Sequence, residues 1–224
     1  MLETKKSNAN QYCKICGSKT SKIFHKYPEL KYYYCKACEF ISKDERFILS
    51  PEKEYRNYNN HNNSINDPEY VDYFKKFLHS AVLKYCGSGK LGLDFGSGPS
   101  PVLAMILERD YNYNMDIYDL YYSPLKVYQG KKYDLVTSTE VTEHLKNPLS
   151  YFQIFRNCLK KEGLLSIMTL FYPNNQEQFL EWYYIRDKTH ISFYTPKTME
   201  IIGEKTGLKV IYTDHARYIS FKPK

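Results

Sequence analysis

The sequence contains no run of apolar residues approaching the roughly 20 needed to cross a bilayer as a helix, so no membrane span is expected. Its first ten residues are polar and lack the apolar segment of a signal peptide. Both absences point to a cytoplasmic protein without a membrane partner. Cysteine is scarce: there are six, four of them in two tight pairs, and a cytoplasmic setting argues against disulfides. No charge sign dominates strongly. The formal net charge is +7, and residues 1–60 hold 12 Lys/Arg against 7 Asp/Glu. A basic N-terminal segment suits an anionic partner, RNA or a nucleotide-linked substrate, or else is a solvated surface. Tyrosine is abundant, at 24 residues, and in a chain also rich in Lys and Asn each one is not read as functional. The 224 residues suffice for one α/β domain with a small appendage.

The two cysteine pairs are Cys13-Lys-Ile-Cys16 and Cys35-Lys-Ala-Cys38, separated by the segment Gly17–Tyr34. This is zinc-ribbon spacing: each pair forms a knuckle supplying two thiolates to a tetrahedral ion. Structural zinc on Cys13, Cys16, Cys35 and Cys38 is therefore expected, with Lys22–Lys26 and Lys31–Tyr34 as short strands of a hairpin. Cys86 and Cys158 read as small buried apolar residues. Residues 41–66 are polar and Asn-rich and read as a linker or a lid, in which Tyr58 and His61 are the candidates to fold over a ligand.

The chain is organised around Leu91-Gly-Leu-Asp-Phe-Gly-Ser-Gly-Pro-Ser-Pro-Val-Leu-Ala. An apolar strand ends in Asp94, a turn follows at Gly96-Ser97-Gly98, and Ser100 with Pro101 signals a helix start. Glycine lets a ligand approach the backbone, and the helix start offers free N–H groups. A second strand over Asn114–Asp119 ends in an acid. Its distance beyond Gly98 is that at which nucleotide-binding α/β folds place the acid that holds ribose hydroxyls; Asp116 is the competing candidate. A further strand from Tyr133 runs into Glu140-Val-Thr-Glu143-His144. A helix from Asn147-Pro148 should stop at Gly163, before a strand over Leu164–Leu170. An aromatic insert over 171–194 closes on Thr189-His190-Ile-Ser-Phe-Tyr-Thr-Pro, followed by a last helix ending at Gly207 and an antiparallel hairpin.

These motifs, in this order, resemble the class I S-adenosylmethionine-dependent methyltransferases over residues 67–221. The resemblance implies an α/β fold: a Rossmann-like, mostly parallel sheet with helices on both faces, preceded here by the zinc ribbon. It divides the chain into a ribbon (1–40), a linker or lid (41–66) and a methyltransferase domain (67–224). It implies S-adenosylmethionine as cofactor, held by Asp94, Gly96, Ser97, Gly98, Asp119, Thr139 and Glu140, with His190, His144 and Glu143 as catalytic candidates. One departure is clear. The stretch between Asp119 and Asp134 is too short for the helix and third strand that family places there, and the acid that would contact adenine is not identifiable. The expected reaction is methyl transfer to a small-molecule acceptor, such as a sugar or sugar nucleotide. The alternatives are an RNA methyltransferase that uses the ribbon to hold RNA, and an inactive ribbon-bearing binding module. Against RNA, no Asn/Asp-Pro-Pro-Tyr motif follows the fourth strand.

Overall fold

The computed structural model describes residues 12–25, 27, 30–58 and 64–224. In chain order the elements are β1 (Ser21–Phe24), β2 (Lys31–Tyr34), β3 (Ile41–Lys43), α1 (Pro51–Tyr58), α2 (Pro68–Phe77), β4 (Leu91–Phe95), α3 (Val102–Tyr111), β5 (Asn114–Tyr118), β6 (Tyr133–Thr139), α4 (Pro148–Cys158), β7 (Leu159–Met168), α5 (Gln176–Glu181), β8 (Ser192–Phe193), α6 (Pro196–Thr206), β9 (Leu208–Thr213) and β10 (Tyr218–Pro223). Among the described residues, no helix is long and apolar enough to cross a membrane.

The main sheet has six strands in the order β5-β4-β6-β7-β10-β9. The first four run parallel, and β10 is antiparallel to both of its neighbours. β4 and β6 sit inside the sheet, and their runs Leu91–Phe95 and Tyr133–Thr139 are largely buried on both faces, as interior parallel strands require. Segment 119–132 supplies no strand or helix, only a bridge between Asp119 and Ser123 and turns, so β5 is the edge. The sheet therefore lacks the strand for which the sequence had no room.

Capping follows the sequence closely at two helices. Asp67 accepts from the backbone N–H groups of Glu69 and Tyr70 ahead of Pro68, and Thr195 forms a capping box with Thr198. After α2 the chain widens into a π turn over Leu78–Val82. The Ala81 carbonyl there accepts from the Ser166 and Ser220 hydroxyls, at 2.9 and 2.6 Å, which ties the turn to β7 and β10. At α3 the expected Ser100 cap is not made: Pro101 occupies the cap position without a side-chain bond.

A second, antiparallel sheet has the order β1-β2-β3-β8. Its first three strands come from the cysteine-bearing segment and its fourth from the aromatic insert. β3 pairs with β8 through Ile41↔Phe193 and Ser42↔Ser192. Cys13, Ile15, Cys35, Cys38 and Phe40 belong to the same apolar cluster as Leu93, Phe95 and Phe155 of the main domain. The boundary expected at residue 40 thus falls within a sheet, and residues 41–58 carry a strand, a 3-10 turn at Glu45–Phe47 and a helix instead of an irregular linker. Hydrogen-bond pairing of β3 overrides the polar composition of this stretch. His61 lies outside the described residues.

Gly163 also differs from its expected role as a helix stop. α4 ends at Cys158 and β7 begins at once, running through Gly163. Beside it the β6–β7 register slips between Tyr133 and Leu135, and a Cβ on Gly163 would lie 2.8 Å from the Tyr133 carbonyl oxygen. Close backbone approach, not a left-handed turn, requires glycine here. Gly163→Ala and Gly163→Asn should each lower stability by about 1–3 kcal/mol in urea denaturation, Asn at least as much as Ala. A milder effect of Asn than of Ala would indicate a conformational stop.

Candidate active site

The C-terminal ends of β4 and β6 open into one cavity of about 800 Å³. Ligands of open α/β sheets bind at this edge. Asp94, Gly96, Ser97, Gly98, Asp119, Thr139 and Glu140 all line the cavity.

Asp94 is 2% exposed. Its carboxylate accepts from the Thr137 hydroxyl at 2.8 Å, across the β4–β6 pairing. Burial pushes its pKa up from 3.8 to about 7, opposed by the Thr137 bond and reinforced by the Asp119 charge. Gly96 has φ +89°, and a Cβ there would run into the Val141 side chain. The Ser97 hydroxyl is buried and has no hydrogen-bond partner among the described residues.

Asp119 is oriented by backbone donors. One carboxylate oxygen accepts from Gly98 N at 3.0 Å, the other from Tyr121 N at 2.8 Å and Tyr122 N at 3.1 Å. Asp116, the competing acid, is absent from the cavity wall; its carboxylate is engaged by Lys131 Nζ at 2.7 Å and the Tyr133 hydroxyl at 2.6 Å.

At the other end of the cavity Glu140 adopts φ +52°. It accepts from the Tyr73 hydroxyl at 2.8 Å and the Tyr184 hydroxyl at 3.0 Å. Burial, then the charge of Glu143, pushes its pKa up to about 7. Glu143 is fully buried and does not reach the cavity. It accepts from Thr169 at 2.9 Å and from the Tyr184 hydroxyl, and burial raises its pKa as well. The single hydroxyl proton of Tyr184 thus serves two carboxylates. The expectation that Glu143 faces substrate is corrected: it stands one layer behind the wall.

His144 and His190 do face the cavity, with ring centroids 4.8 Å apart. Nδ1 of His144 lies 3.2 Å from the Thr189 carbonyl, and Nδ1 of His190 lies 2.8 Å from the Tyr184 carbonyl. A carbonyl only accepts, so each Nδ1 carries the proton and each Nε2 keeps its lone pair. Burial lowers both pKa values, that of His190 to about 4, so both rings are neutral at pH 7. Ligand atoms of Glu143, His144 and His190 lie within 4.8 Å of one another, as do those of the four ribbon cysteines. The cysteines are a thiolate set suited to zinc, and the trio is a nitrogen and oxygen set of the kind divalent metals accept.

A family of methyltransferase domains matches residues 68–213, well over half of the sequence. The chain belongs to it. The chain is also 48% identical over 40 residues to a ubiquinone biosynthesis O-methyltransferase of Glaesserella parasuis serovar 5 (strain SH0165), a match covering 18% of this chain and 17% of that protein. The fold is similar to that of the mitomycin 7-O-methyltransferase, with TM-score 0.51 and 10% identity, over 80% of this chain and 70% of that one. The sheet order, with β10 antiparallel between β7 and β9, is accordingly that of a class I methyltransferase lacking its third strand.

Sequence reasoning missed several residues around the cavity. Tyr73 packs with Tyr70 and Phe74 on the apolar side of α2, so spacing did not distinguish it from the core residues around it. Tyr184 was one aromatic among many in the insert. Glu54, on α1, accepts from Tyr58 at 3.1 Å and Tyr121 at 2.9 Å and so closes the wall beside Asp119; nothing in its sequence surroundings marks it.

Asp94 gives a pH-dependent prediction. Its folded pKa is raised above the unfolded value, so the native state holds the extra proton, and stability falls as pH rises between 3.8 and about 7. Asp94→Asn removes that loss. The stability of the variant relative to wild type should therefore increase between about pH 4 and pH 8 by roughly 2–4 kcal/mol, since a tenfold change in proton affinity is worth about 1.4 kcal/mol. Urea midpoints at both ends of this range measure it, and a pH-independent difference would contradict the buried-acid account.

Proposed function

We propose that the protein transfers a methyl group from S-adenosylmethionine to a polar small molecule, a sugar or sugar nucleotide being the acceptor class that best fits the site. The observation carrying this reading is the single cavity that joins the Asp94–Gly98 turn and Asp119 to two neutral histidines. The oriented Asp119 carboxylate suits the ribose portion of the cofactor. The apolar side chain of Leu120, exposed on the cavity wall, and the ring of Tyr151 are surfaces suited to receive adenine.

When bound, the cofactor supplies an electrophilic methyl on a good sulfonium leaving group, so alignment and exclusion of water carry most of the catalysis. The chain's part is to hold the acceptor and remove its proton. His190 Nε2 takes that proton, and the Asp187 carboxylate 3.7 Å away stabilises the imidazolium that forms. His144 lies beside it and is the second acceptor in reach. Tyr58, whose ring meets His144 edge-on at 5.3 Å, covers the site from α1.

The RNA reading has less support. Lys14 and Lys146, basic residues near the mouth, are both engaged by Glu45 at 2.9 and 3.1 Å, and Lys197 is engaged by Glu39 at 3.2 Å. The inactive-module reading has to set aside a cavity lined by all seven residues expected to hold the cofactor. We assign structural zinc to the four cysteines, whose sulfurs already approach to 3.4 Å (Cys13–Cys38) and 3.3 Å (Cys16–Cys35).

Calorimetric titration with S-adenosylmethionine tests the central claim. Micromolar binding is expected, weakened at least tenfold in Asp119→Ala; wild-type protein that does not bind would overturn the reading. RNA affinity should be weak, without the steep salt dependence of phosphate neutralisation. Zinc analysis should find one ion per chain, lost in Cys13→Ser. Because the ribbon shares the main core, that variant should melt lower as a whole, in one transition. A retained, tightly bound zinc would refute the assignment.

A further inference from the structure

Lys43 is the last residue of β3 and is 3% exposed. Burying an ammonium is costly, and burial lowers its pKa. Its position shows what the cation holds. Its backbone N–H donates to the Ile191 carbonyl at 2.9 Å, and its Nζ donates to the Lys188 carbonyl at 2.9 Å. One residue of the ribbon sheet thus holds the chain on both sides of Thr189-His190.

That short turn controls the acceptor end of the cavity. His190 is part of it. The Thr189 carbonyl fixes the proton on Nδ1 of His144. The Ile191 N–H donates to the Glu143 carbonyl at 2.8 Å, which joins the turn to the segment carrying Glu140 and His144. Asp187 braces the turn from within, accepting from Thr189 N at 2.8 Å and the Thr189 hydroxyl at 2.6 Å. The side chain of Lys43 does not reach the cavity.

We propose that Lys43 is a positioning residue for methyl transfer: it clamps residues 188–191 so that His190 and His144 present Nε2 to the acceptor. The cysteine ribbon, through β3, is then part of the machinery that orients the catalytic groups. The inference rests on the reading of His190 as proton acceptor, but its test does not depend on that reading alone. A misplacement of about 1 Å at a reacting group can cost on the order of 100-fold in rate, so a carbonyl clamp next to His190 has a large effect to exert.

The experiment uses the full chain labelled with ¹⁵N-histidine. Long-range proton–nitrogen NMR spectra report the tautomer of each ring, and Gln variants of His144 and His190 assign the signals. Wild type should show both rings neutral with the proton on Nδ1. In Lys43→Met, or in Lys43→Gln should the Met variant fold poorly, His144 should lose its single tautomer. Affinity for S-adenosylmethionine should stay within about threefold, because the cofactor wall is built on other strands. With the acceptor found by screening, kcat should fall about 10–100-fold, and Lys43→Arg should recover most of it. Unchanged tautomers with kcat within threefold of wild type would overturn the proposal. So would a parallel loss of cofactor affinity and kcat, which would mark Lys43 as a general stabiliser. Wild type that does not bind the cofactor defeats the methyltransfer reading, whereas the tautomers still report on the clamp.

Discussion

The structure depends first on the parallel pairing of β4 with β6. That register, Leu93↔Val136 and Asp94↔Thr137, brings two distant chain segments to a common edge. Each strand ends there in a turn that no ordinary residue sequence would form. After β4, Gly96 takes a positive φ against Val141; after β6, Glu140 takes one without being glycine. A non-glycine residue in the left-handed region costs free energy and persists only where its surroundings over-determine it. Two tyrosine hydroxyls on Glu140 provide that determination. Strain and ligand site coincide because the strand ends are the places where the backbone leaves the sheet while remaining walled by it.

The second sheet solves a different problem. A four-cysteine ribbon this small has too little apolar surface to be stable alone, and metal ligation ordinarily makes up the difference. Here the ribbon also borrows a strand, β8, from the aromatic insert and shares the main core. Thr198 donates to the Cys38 carbonyl at 2.8 Å, and Thr195 donates to the Glu39 carboxylate at 2.9 Å, so the start of α6 is fixed to the second knuckle. The insert is thereby held at both ends, by the main sheet and by the ribbon, and His190 lies between the two attachments.

The parts legible in the sequence were those set by local chemistry. Glycine, proline and capping residues marked the β4 turn and the starts of α2 and α6, and alternation or continuous apolarity marked the strands. The short 120–133 segment even foretold a missing strand, because chain length cannot be argued with. What was not legible were long-range backbone pairings. Ile41–Lys43 looks like the beginning of a polar linker until β2 on one side and β8, from far along the chain, on the other supply its hydrogen bonds. Gly163 looks like a helix stop until Tyr133 lies against it. Glu143 looks like a cavity residue by its place after Glu140, yet the 3-10 turn at Thr142–His144 rotates it inward and His144 outward. Each of these depends on a partner that sequence spacing does not reveal.

The tyrosines, which composition alone left without meaning, have a common task at the site. Glu54 and Glu140 each accept from two tyrosine hydroxyls, and Glu143 accepts from one of the same tyrosines. No lysine or arginine pairs with Glu140 or Glu143 among the salt bridges of the described residues. The difference matters. A guanidinium would hold these buried carboxyls as anions, with pKa values pulled down. A phenol orients a carboxyl without supplying charge, so burial is left to raise the pKa, and Glu140 stands at about 7. The site consequently accumulates oriented oxygen acceptors and two neutral imidazoles with little fixed positive charge. On the proposed reading, such a lining sets little protein positive charge against a sulfonium and keeps the imidazoles free to receive a proton from a hydroxyl. Burial and the charge of Glu143 raise the Glu140 pKa, and the tyrosine hydroxyls that orient the carboxyl offset that rise only in part.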